Sequence, residues 1–155
     1  MELEKEIDQK HFASEHHKLL INVLFTGKWL DYRQQRRFKT WDLTPQQYNI
    51  LRILRGAAPK PATVQYLTDR MLDKSSNASR LVDKLEEKGL ACRATCPHNR
   101  RAVDVNITEA GMALLEQIDG RNVLNDHVFA QVLTEQEAQT LNRLLDRLRD
   151  AKLDL

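Results

Sequence analysis

Hydrophobic residues recur with a helical period in the stretch from Lys74 to Gly89. Four apolar residues stand at positions i, i+3, i+4 and i+7 of this stretch: Ala78, Leu81, Val82 and Leu85. That spacing places all four side chains on one face of an α-helix. Asp73 or Ser75 is a suitable N-cap, and Gly89 suits the left-handed residue that ends many helices. The pattern predicts an amphipathic helix whose apolar face is buried.

The opposite face of this helix carries short hydrogen-bonding side chains and cations. Its residues are Ser76, Asn77, Ser79, Arg80 and Lys84. Such a face suits a partner that offers hydrogen-bond acceptors and negative charge, although a plain solvated helix is the alternative, since the period identifies only the buried side.

Two shorter helices are predicted before it. Thr44 is an N-cap followed by Pro45 at the first helical position, and this helix runs to Gly56. After a turn that contains two prolines, Thr63 caps a second helix that ends near Leu72. Short helices joined this tightly are typical of a helix-turn-helix, in which the final helix enters the major groove.

The hydrophobic period changes to two after Gly89. Leu90, Cys92 and Ala94 alternate with Ala91, Arg93 and Thr95, and a second alternating run ends at Ile107. Both runs predict half-buried strands, and the CPHNRR segment between them predicts a hairpin turn with arginines at its tip. A hairpin that directly follows a helix-turn-helix predicts a winged helix. Arginines at the tip of such a wing would suit the narrow, strongly negative minor groove. A solubilising hairpin tip is the alternative.

Helices are also predicted on both sides of this central region. Residues 11–39 form a first helix that is apolar nearly all round, so part of its cover is expected from a second subunit. Thr108 caps a long helix through about Ala130, and Thr134 with Glu137 forms a capping box that opens a last helix. These helices favour packing or subunit pairing.

Composition and charge fit this picture. The 155 residues are 41% hydrophobic with few glycines and prolines, which indicates one mainly helical domain. Residues 28–60 hold eight lysines and arginines against two acids, whereas 108–155 hold nine acids against five cations. A basic centre suits contact with a polyanion. The acidic N-terminus lacks a signal-peptide core and no run of 18 apolar residues occurs, so a cytoplasmic protein without membrane contact is expected.

The segments SRLVDKLEEKGL and NRRAVDVNITEAG resemble the recognition helix and wing of the MarR family of bacterial transcriptional regulators. The family's wing motif is Asp-x-Arg, five residues, then Leu-Thr-x-x-Gly. Asn99, Arg101, Ile107, Thr108 and Gly111 occupy its positions with the spacing intact. Asn99 replaces the aspartate, so an amide stands where the family has a carboxylate that can form an ion pair. The resemblance covers nearly the whole chain.

This resemblance implies a mainly α fold with a small β-hairpin wing, in one domain over residues 1–155. Residues 44–107 would form the winged helix-turn-helix, while 11–39 and 108–155 would form dimerisation helices. It implies a homodimer on an inverted-repeat operator in double-stranded DNA, and a repressor relieved by a small aromatic ligand. Ser76, Asn77, Ser79 and Arg80 would contact bases. Arg100 and Arg101 would enter the minor groove, and Lys74 and Lys84 would contact phosphates.

Several residues are candidates for the sensor. Phe25, Trp29 and Tyr32 supply aromatic surface for a phenolic ligand, with core packing as the alternative. Cys92 and Cys96 leave a redox-sensing regulator open, although in one extended strand their Cα atoms would lie about 13 Å apart, too far for a disulfide. The histidines lack the spacing of paired ligands on one helix, so no metal is expected.

A winged helix used only for protein interaction is the main alternative, and it would show no steep dependence of DNA affinity on salt. The sequence contains no Ser/His/Asp, paired-carboxylate or phosphate-loop arrangement. We therefore expect neither enzymatic activity nor a cofactor.

Overall fold

The computed structural model describes residues 2–95, 103–120 and 126–150. The chain divides into two compact units, Met1–Ala113 and Leu114–Leu155. Within the described ranges the elements, in chain order, are α1 (Leu3–Glu6), α2 (Glu15–Phe38), a 3₁₀ turn (Lys39–Trp41), α3 (Pro45–Ala57), β1 (Ala62–Thr63), α4 (Val64–Arg70), α5 (Ala78–Glu87), β2 (Ala91–Thr95), β3 (Val103–Ile107), α6 (Glu109–Gly120), α7 (Asp126–Val132) and α8 (Glu135–Asp150). The mainly α fold with a small sheet is confirmed.

Helix α3 begins where its local sequence predicts. The Thr44 side chain accepts a hydrogen bond from the backbone N–H of Gln47, the Gln47 side chain accepts one from the N–H of Thr44, and Pro45 occupies the first turn. This reciprocal pair satisfies backbone donors that a helix start leaves unpaired. Ile50, Leu51 and Leu54 are buried along one face, so α3 lies at the centre of the first unit.

Helix α4 also has its predicted cap, because Thr63 accepts a hydrogen bond from the N–H of Tyr66. It ends at Arg70, two residues before the predicted end near Leu72. Leu67 and Met71 are buried, and α4 contacts both α3 and α5. The predicted helix-turn-helix is therefore present.

Helix α5 begins later than predicted. Asn77, and neither Asp73 nor Ser75, is the N-cap, and its side chain accepts a hydrogen bond from the N–H of Arg80. The residues from Asp73 to Ser76 form a turn that is held by the Asp73 carboxylate, so the helical period cannot extend through them. Placing Ser76 and Asn77 on the outer face of the helix was therefore wrong, because both precede its first turn.

The other end of α5 has a Schellman motif. Gly89 adopts a φ of 68° and donates to the carbonyl of Glu86, while Leu90 donates to the carbonyl of Leu85. A positive φ suits glycine, so the predicted helix stop at Gly89 is confirmed. Thr108 fastens this turn to α6, since its hydroxyl donates to the carbonyl of Gly89 and accepts from the N–H of Gly111.

The predicted hairpin is present, with β2 antiparallel to β3 and Arg93 opposite Val105. A two-residue strand that the sequence pattern did not predict, β1, pairs with the other edge of β3 and gives the order β1-β3-β2. Ala91 is buried in the core, whereas Cys92 and Ala94 face outward. The hairpin tip, with Cys96, Asn99, Arg100 and Arg101, lies outside the described residues.

Helix α2 occupies Glu15–Phe38 within the predicted 11–39, and Ser14 caps it. The unpredicted α1 precedes it: Leu3 is buried, and Glu4 is paired with Lys18 of α2. Three leucines of α2 are at least half exposed: Leu19, Leu20 and Leu24. The apolar surface that the sequence shows all round this helix is thus only partly covered within one chain.

The C-terminal region contains α6, α7 and α8. The predicted helix from Thr108 to about Ala130 is described as α6 and α7, and residues 121–125 between them lie outside the described part. Thr134 and Glu137 form the predicted capping box at the start of α8. Helix α8 has no buried residue, and its exposed leucines are Leu141, Leu144 and Leu148.

Replacing Gly111 by alanine is expected to destabilise the protein by about 2 kcal/mol or more. An added Cβ would collide with the backbone carbonyl of Leu90 and lie 2.8 Å from Cγ1 of Ile107. Urea unfolding followed by circular dichroism measures this loss.

Gly56→Ala is the matched control, because a Cβ at this position in α3 meets nothing within 4 Å. Alanine favours a helix over glycine by roughly 0.5–1 kcal/mol, so this variant is expected to be at least as stable as the parent. Equal unfolding midpoints for Gly111→Ala and the parent would contradict the close contact between α6 and the turn after α5.

Candidate nucleic-acid interface

The two faces of α5 differ as predicted. Val82 and Leu85 are completely buried against neighbours that include α3 and β2, whereas Ser79, Arg80 and Lys84 are exposed. A helix that is fixed by its buried face presents the opposite face in a defined orientation. The exposed set combines a hydroxyl, a guanidinium and an amine, which are groups that can contact base edges or phosphates.

The two lysines that the sequence assigns to phosphate contact already have partners within the protein. Lys84 forms an ion pair with Glu87 at 2.7 Å. Lys74 donates to the main-chain carbonyls of Thr68 and Asp69, near the end of α4. The Lys84 pair is well exposed, and exposed pairs of this kind are worth only about 0–1 kcal/mol, so Lys84 can exchange its partner for a phosphate.

The turn before α5 is organised by the carboxylate of Asp73. This carboxylate accepts hydrogen bonds from the Ser75 N–H and hydroxyl and from the Ser76 hydroxyl, at 2.6–3.0 Å. Gln46 of α3 donates a fourth, longer bond of 3.4 Å. The serine hydroxyls and the other donors stabilise the ionised form and lower the pKa of Asp73 from 3.8 to about 2.

A second contact fastens this turn to α3. The backbone N–H of Leu72 donates to the Asn49 side chain at 2.9 Å. Leu72 itself is 89% exposed, so its main chain, rather than its side chain, holds the turn in place. Together with the Asp73 bonds, this contact determines where Ser76 and Asn77 stand at the start of α5.

Arg93 joins the wing strand β2 to the exposed face of α5. Its guanidinium pairs with Asp83 and with Glu86, the latter at 3.3 Å, and its backbone N–H donates to Glu86 at 2.9 Å. The same guanidinium donates to the carbonyl and the hydroxyl of Ser79, at 3.1 and 3.2 Å. Sequence analysis assigned no role in DNA binding to Arg93, because no local pattern connects a strand position to a residue of the preceding helix.

The three predicted ligand residues line two different cavities. Phe25 and Trp29 line a cavity of about 230 Å³ beside α1, while Tyr32 lines another of about 350 Å³ near the start of α3. Trp29 and Tyr32 each lie under a guanidinium, of Arg33 and Arg36 respectively.

A larger cavity of about 500 Å³ lies in the first unit, on another side of α2. It is bordered by α2, by the start of α3 and by the turn before α5, and its lining includes Leu24, Lys28, Gln46, Asn49 and Asp73. The residues that hold the turn therefore also border this cavity. A molecule bound there would contact the same groups that position the start of α5.

Among residues 2–95, 103–120 and 126–150, no three His, Cys, Asp or Glu side chains are grouped as a metal site requires. None of the helices in these ranges is both long enough and apolar enough to cross a membrane.

The contribution of Asp73 to stability is expected to disappear in acid. Its pKa is lower in the folded protein than in the unfolded chain, so the contribution is fully present above the ordinary value of 3.8 and is lost as pH falls towards about 2. The difference in unfolding free energy between the parent and Asp73→Asn should therefore be smaller at pH 3 than at pH 7.

An NMR titration of the Asp73 carboxyl carbon provides an independent measurement. Ser76→Ala removes one donor and is expected to raise the midpoint towards 3.8. A midpoint near 3.8 in the parent would contradict the hydrogen-bonded turn.

Comparison with known proteins agrees with this architecture. A family model described as the MarR family matches residues 41–102. The chain is 31% identical over 131 residues to the HTH-type transcriptional regulator MhqR of Bacillus subtilis, covering 84% of this chain and 89% of MhqR. This relative is a transcriptional regulator.

Solved structures show the same fold. A mutant of MarR from E. coli, complexed with operator DNA, is 26% identical with a TM-score of 0.73, covering 90% of this chain and 99% of that one. An organohalide-sensing transcriptional regulator in its 2,4-dichlorophenol-bound form has a TM-score of 0.78 at 19% identity, covering 93% and 87%. The chain belongs to the MarR family of winged-helix, DNA-binding transcriptional regulators.

Proposed function

We propose that this protein binds an inverted-repeat operator as a homodimer and represses transcription until a small aromatic ligand binds. The observation that carries this proposal is the exposed face of α5, on which Ser79, Arg80 and Lys84 project from a helix that is fixed by its buried side. A helix of this kind is suited to the major groove, where each base pair offers a distinct pattern of donors and acceptors.

Different residues on and near α5 would contact different parts of the DNA. Arg80 and Ser79 contact base edges, and Ser76 and Asn77 contact DNA where the helix begins. Lys74 and Lys84 contact phosphates, which positions the protein without selecting a sequence. Arg100 and Arg101 follow β2 in the chain and enter the adjacent minor groove, where the negative potential favours arginine.

Pairing of two chains is supported by apolar surface that a single chain leaves uncovered. Leu20 and Leu24 of α2 are 59% and 60% exposed, and the three exposed leucines of α8 follow one another at helical spacing. Burying such side chains between two copies would remove apolar area from water at roughly 25 cal/mol per Å². Two-fold symmetry would then place the two half-sites about one turn of DNA apart.

Relief by an aromatic ligand is supported by the cavities of the first unit. Phe25 and Trp29 border one of them, and the larger cavity is bordered by the groups that hold the turn before α5. A regulator of the same fold has been crystallised with 2,4-dichlorophenol. An aromatic molecule in either cavity would act by changing the position of α5 relative to DNA, which lowers affinity for the operator.

Arg80→Ala is expected to weaken binding to the preferred duplex by about 10- to 100-fold and to relax the preference at one base pair. Fluorescence anisotropy on a labelled duplex, selected by the parent protein from a randomised pool, measures both effects. Arg149→Ala is the matched control, because it removes the same charge from an exposed position on α8, and it should bind within about twofold of the parent.

Arg101→Ala should behave differently. It should weaken binding to all duplexes alike and lower the slope of log affinity against log salt concentration by about one.

Unchanged operator affinity in Arg80→Ala would exclude the proposed role of α5. Weak binding without sequence preference or salt dependence in the parent would favour a protein-interaction module instead.

Leu141→Glu is expected to shift the protein from dimer towards monomer, because it places a charge in the apolar stripe of α8. Sedimentation velocity on the parent should give twice the mass of one chain. Asn142→Glu, which adds the same charge to the neighbouring position, should stay dimeric. A parent that sediments as a monomer at micromolar concentration would contradict the proposed dimer.

A further inference from the structure

We propose that Arg93 is a positioning residue that makes Ser79 a hydrogen-bond donor towards DNA, so that Ser79 selects keto bases over amino bases in the major groove. This inference rests on the proposed function, since it concerns the same face of α5. It goes further by assigning a chemical preference to one side chain and by naming the residue on another element that imposes this preference.

The geometry places the guanidinium of Arg93 directly beside Ser79. One terminal nitrogen, Nη2, lies 3.1 Å from the Ser79 carbonyl oxygen and 3.2 Å from its hydroxyl oxygen. The other, Nη1, is paired with Asp83 and Glu86, one and two turns further along α5. The backbone N–H of Arg93 also donates to Glu86. Both terminal nitrogens of the guanidinium are therefore held by partners, and the side chain cannot turn away from Ser79 without losing several hydrogen bonds.

This contact determines how the Ser79 hydroxyl is used. A hydroxyl has one hydrogen to donate and two lone pairs that accept, whereas a guanidinium only donates. The Ser79 oxygen must therefore accept from Arg93, with a lone pair directed at the guanidinium. The hydroxyl hydrogen is repelled by the cation and turns away from it. One lone pair of Ser79 remains, but the neighbouring cation weakens it as an acceptor and strengthens the O–H as a donor. Since Ser79 is exposed, the stronger of the two groups that it offers to a partner is the donor.

A donor discriminates between bases in the major groove. Guanine and thymine present the O6 and O4 acceptors at the positions where adenine and cytosine present amino donors. Ser79 would therefore bind guanine or thymine at its base position more strongly than adenine or cytosine, whose amino group it could meet only with its weakened lone pair. A serine without a fixed partner can rotate and accept either kind of base.

Arg93 also affects the affinity for DNA in a way that does not depend on the identity of the base. It neutralises Asp83 and Glu86, which would otherwise bring negative charge close to the DNA phosphates. Removing Arg93 is therefore expected to weaken binding to every duplex. This uniform loss cancels in the ratio of affinities for two duplexes of equal length and charge, so the ratio reports only the base preference.

The test measures that ratio for several variants. The parent protein selects its preferred duplex from a randomised pool, and each base pair of one half-site is then replaced in turn. Ser79→Ala identifies the pair that Ser79 contacts, as the position at which the preference is lost. Affinities for keto and amino bases at that position are compared by fluorescence anisotropy in the parent, Arg93→Met and Arg93→Lys.

The parent is expected to prefer keto over amino bases at this position by about tenfold. Arg93→Met should reduce this ratio to within about twofold while the ratios at other positions are retained. Arg93→Lys should do the same, because one amine can remain paired with Asp83 and Glu86 but lacks the second nitrogen that reaches Ser79. Arg93→Met should change no ratio further when Ser79 is already alanine.

Thermal unfolding shows whether each variant is folded. Where an Arg93 variant does not fold, the ratio of keto to amino affinity in the parent, compared with that in Ser79→Ala, still tests whether Ser79 selects keto bases. A parent preference for amino bases overturns the inference, as does a full keto preference in either Arg93 variant. Both results leave the proposed function intact. A parent protein without any sequence preference overturns the proposed function and the inference together.

Discussion

Burial of one face of α5 is the constraint on which the rest of the interface depends. Val82 and Leu85 have no exposed surface, and the helix contacts α3, α4 and β2. Close packing of this kind leaves little freedom to rotate the helix about its axis, because a rotation would open a cavity on one side and cause overlap on the other. The direction in which Ser79 and Arg80 project follows from that packing.

Polar contacts then determine details that packing leaves open. The Asp73 turn sets where the first residues of α5 stand, and Arg93 connects the middle of the helix to the wing strand. These groups are partly exposed, so each contributes little to stability on its own. Their role is geometric: they hold short side chains in the orientation in which a ligand meets them, which lowers the conformational entropy lost on binding.

Much of this fold could be predicted from the sequence because its helix starts are local. Thr44 with Pro45, Thr63, and Thr134 with Glu137 each satisfy backbone donors within four residues, and tertiary structure does not override them. The period of two in residues 90–95 and 102–107 was sufficient to predict the hairpin, although it did not identify Ala91 as the buried position of β2. The exposed face of α5 was correctly predicted for Ser79, Arg80 and Lys84.

The errors arose where distant residues decide the outcome. Asp73 satisfies the local rule for an N-cap, but its carboxylate holds Ser75, Ser76 and Gln46, and the helix begins only at Ala78. Strand β1 has two residues and exists only because β3 offers it an edge. The contact between Arg93 and Ser79 joins positions that have no shared local pattern, so sequence periodicity could not identify it. The cavities depend on packing between elements and were equally inaccessible.

Helix α8 has sixteen residues and buries none of them within one chain. An isolated helix of that length is only marginally stable in water, so its order depends on whatever covers its leucines. If that cover is a second copy, mass action links the structure of this region to the abundance of the protein. Gene dosage, and dilution of the protein at each cell division, would then be inputs to its regulatory response alongside any small molecule.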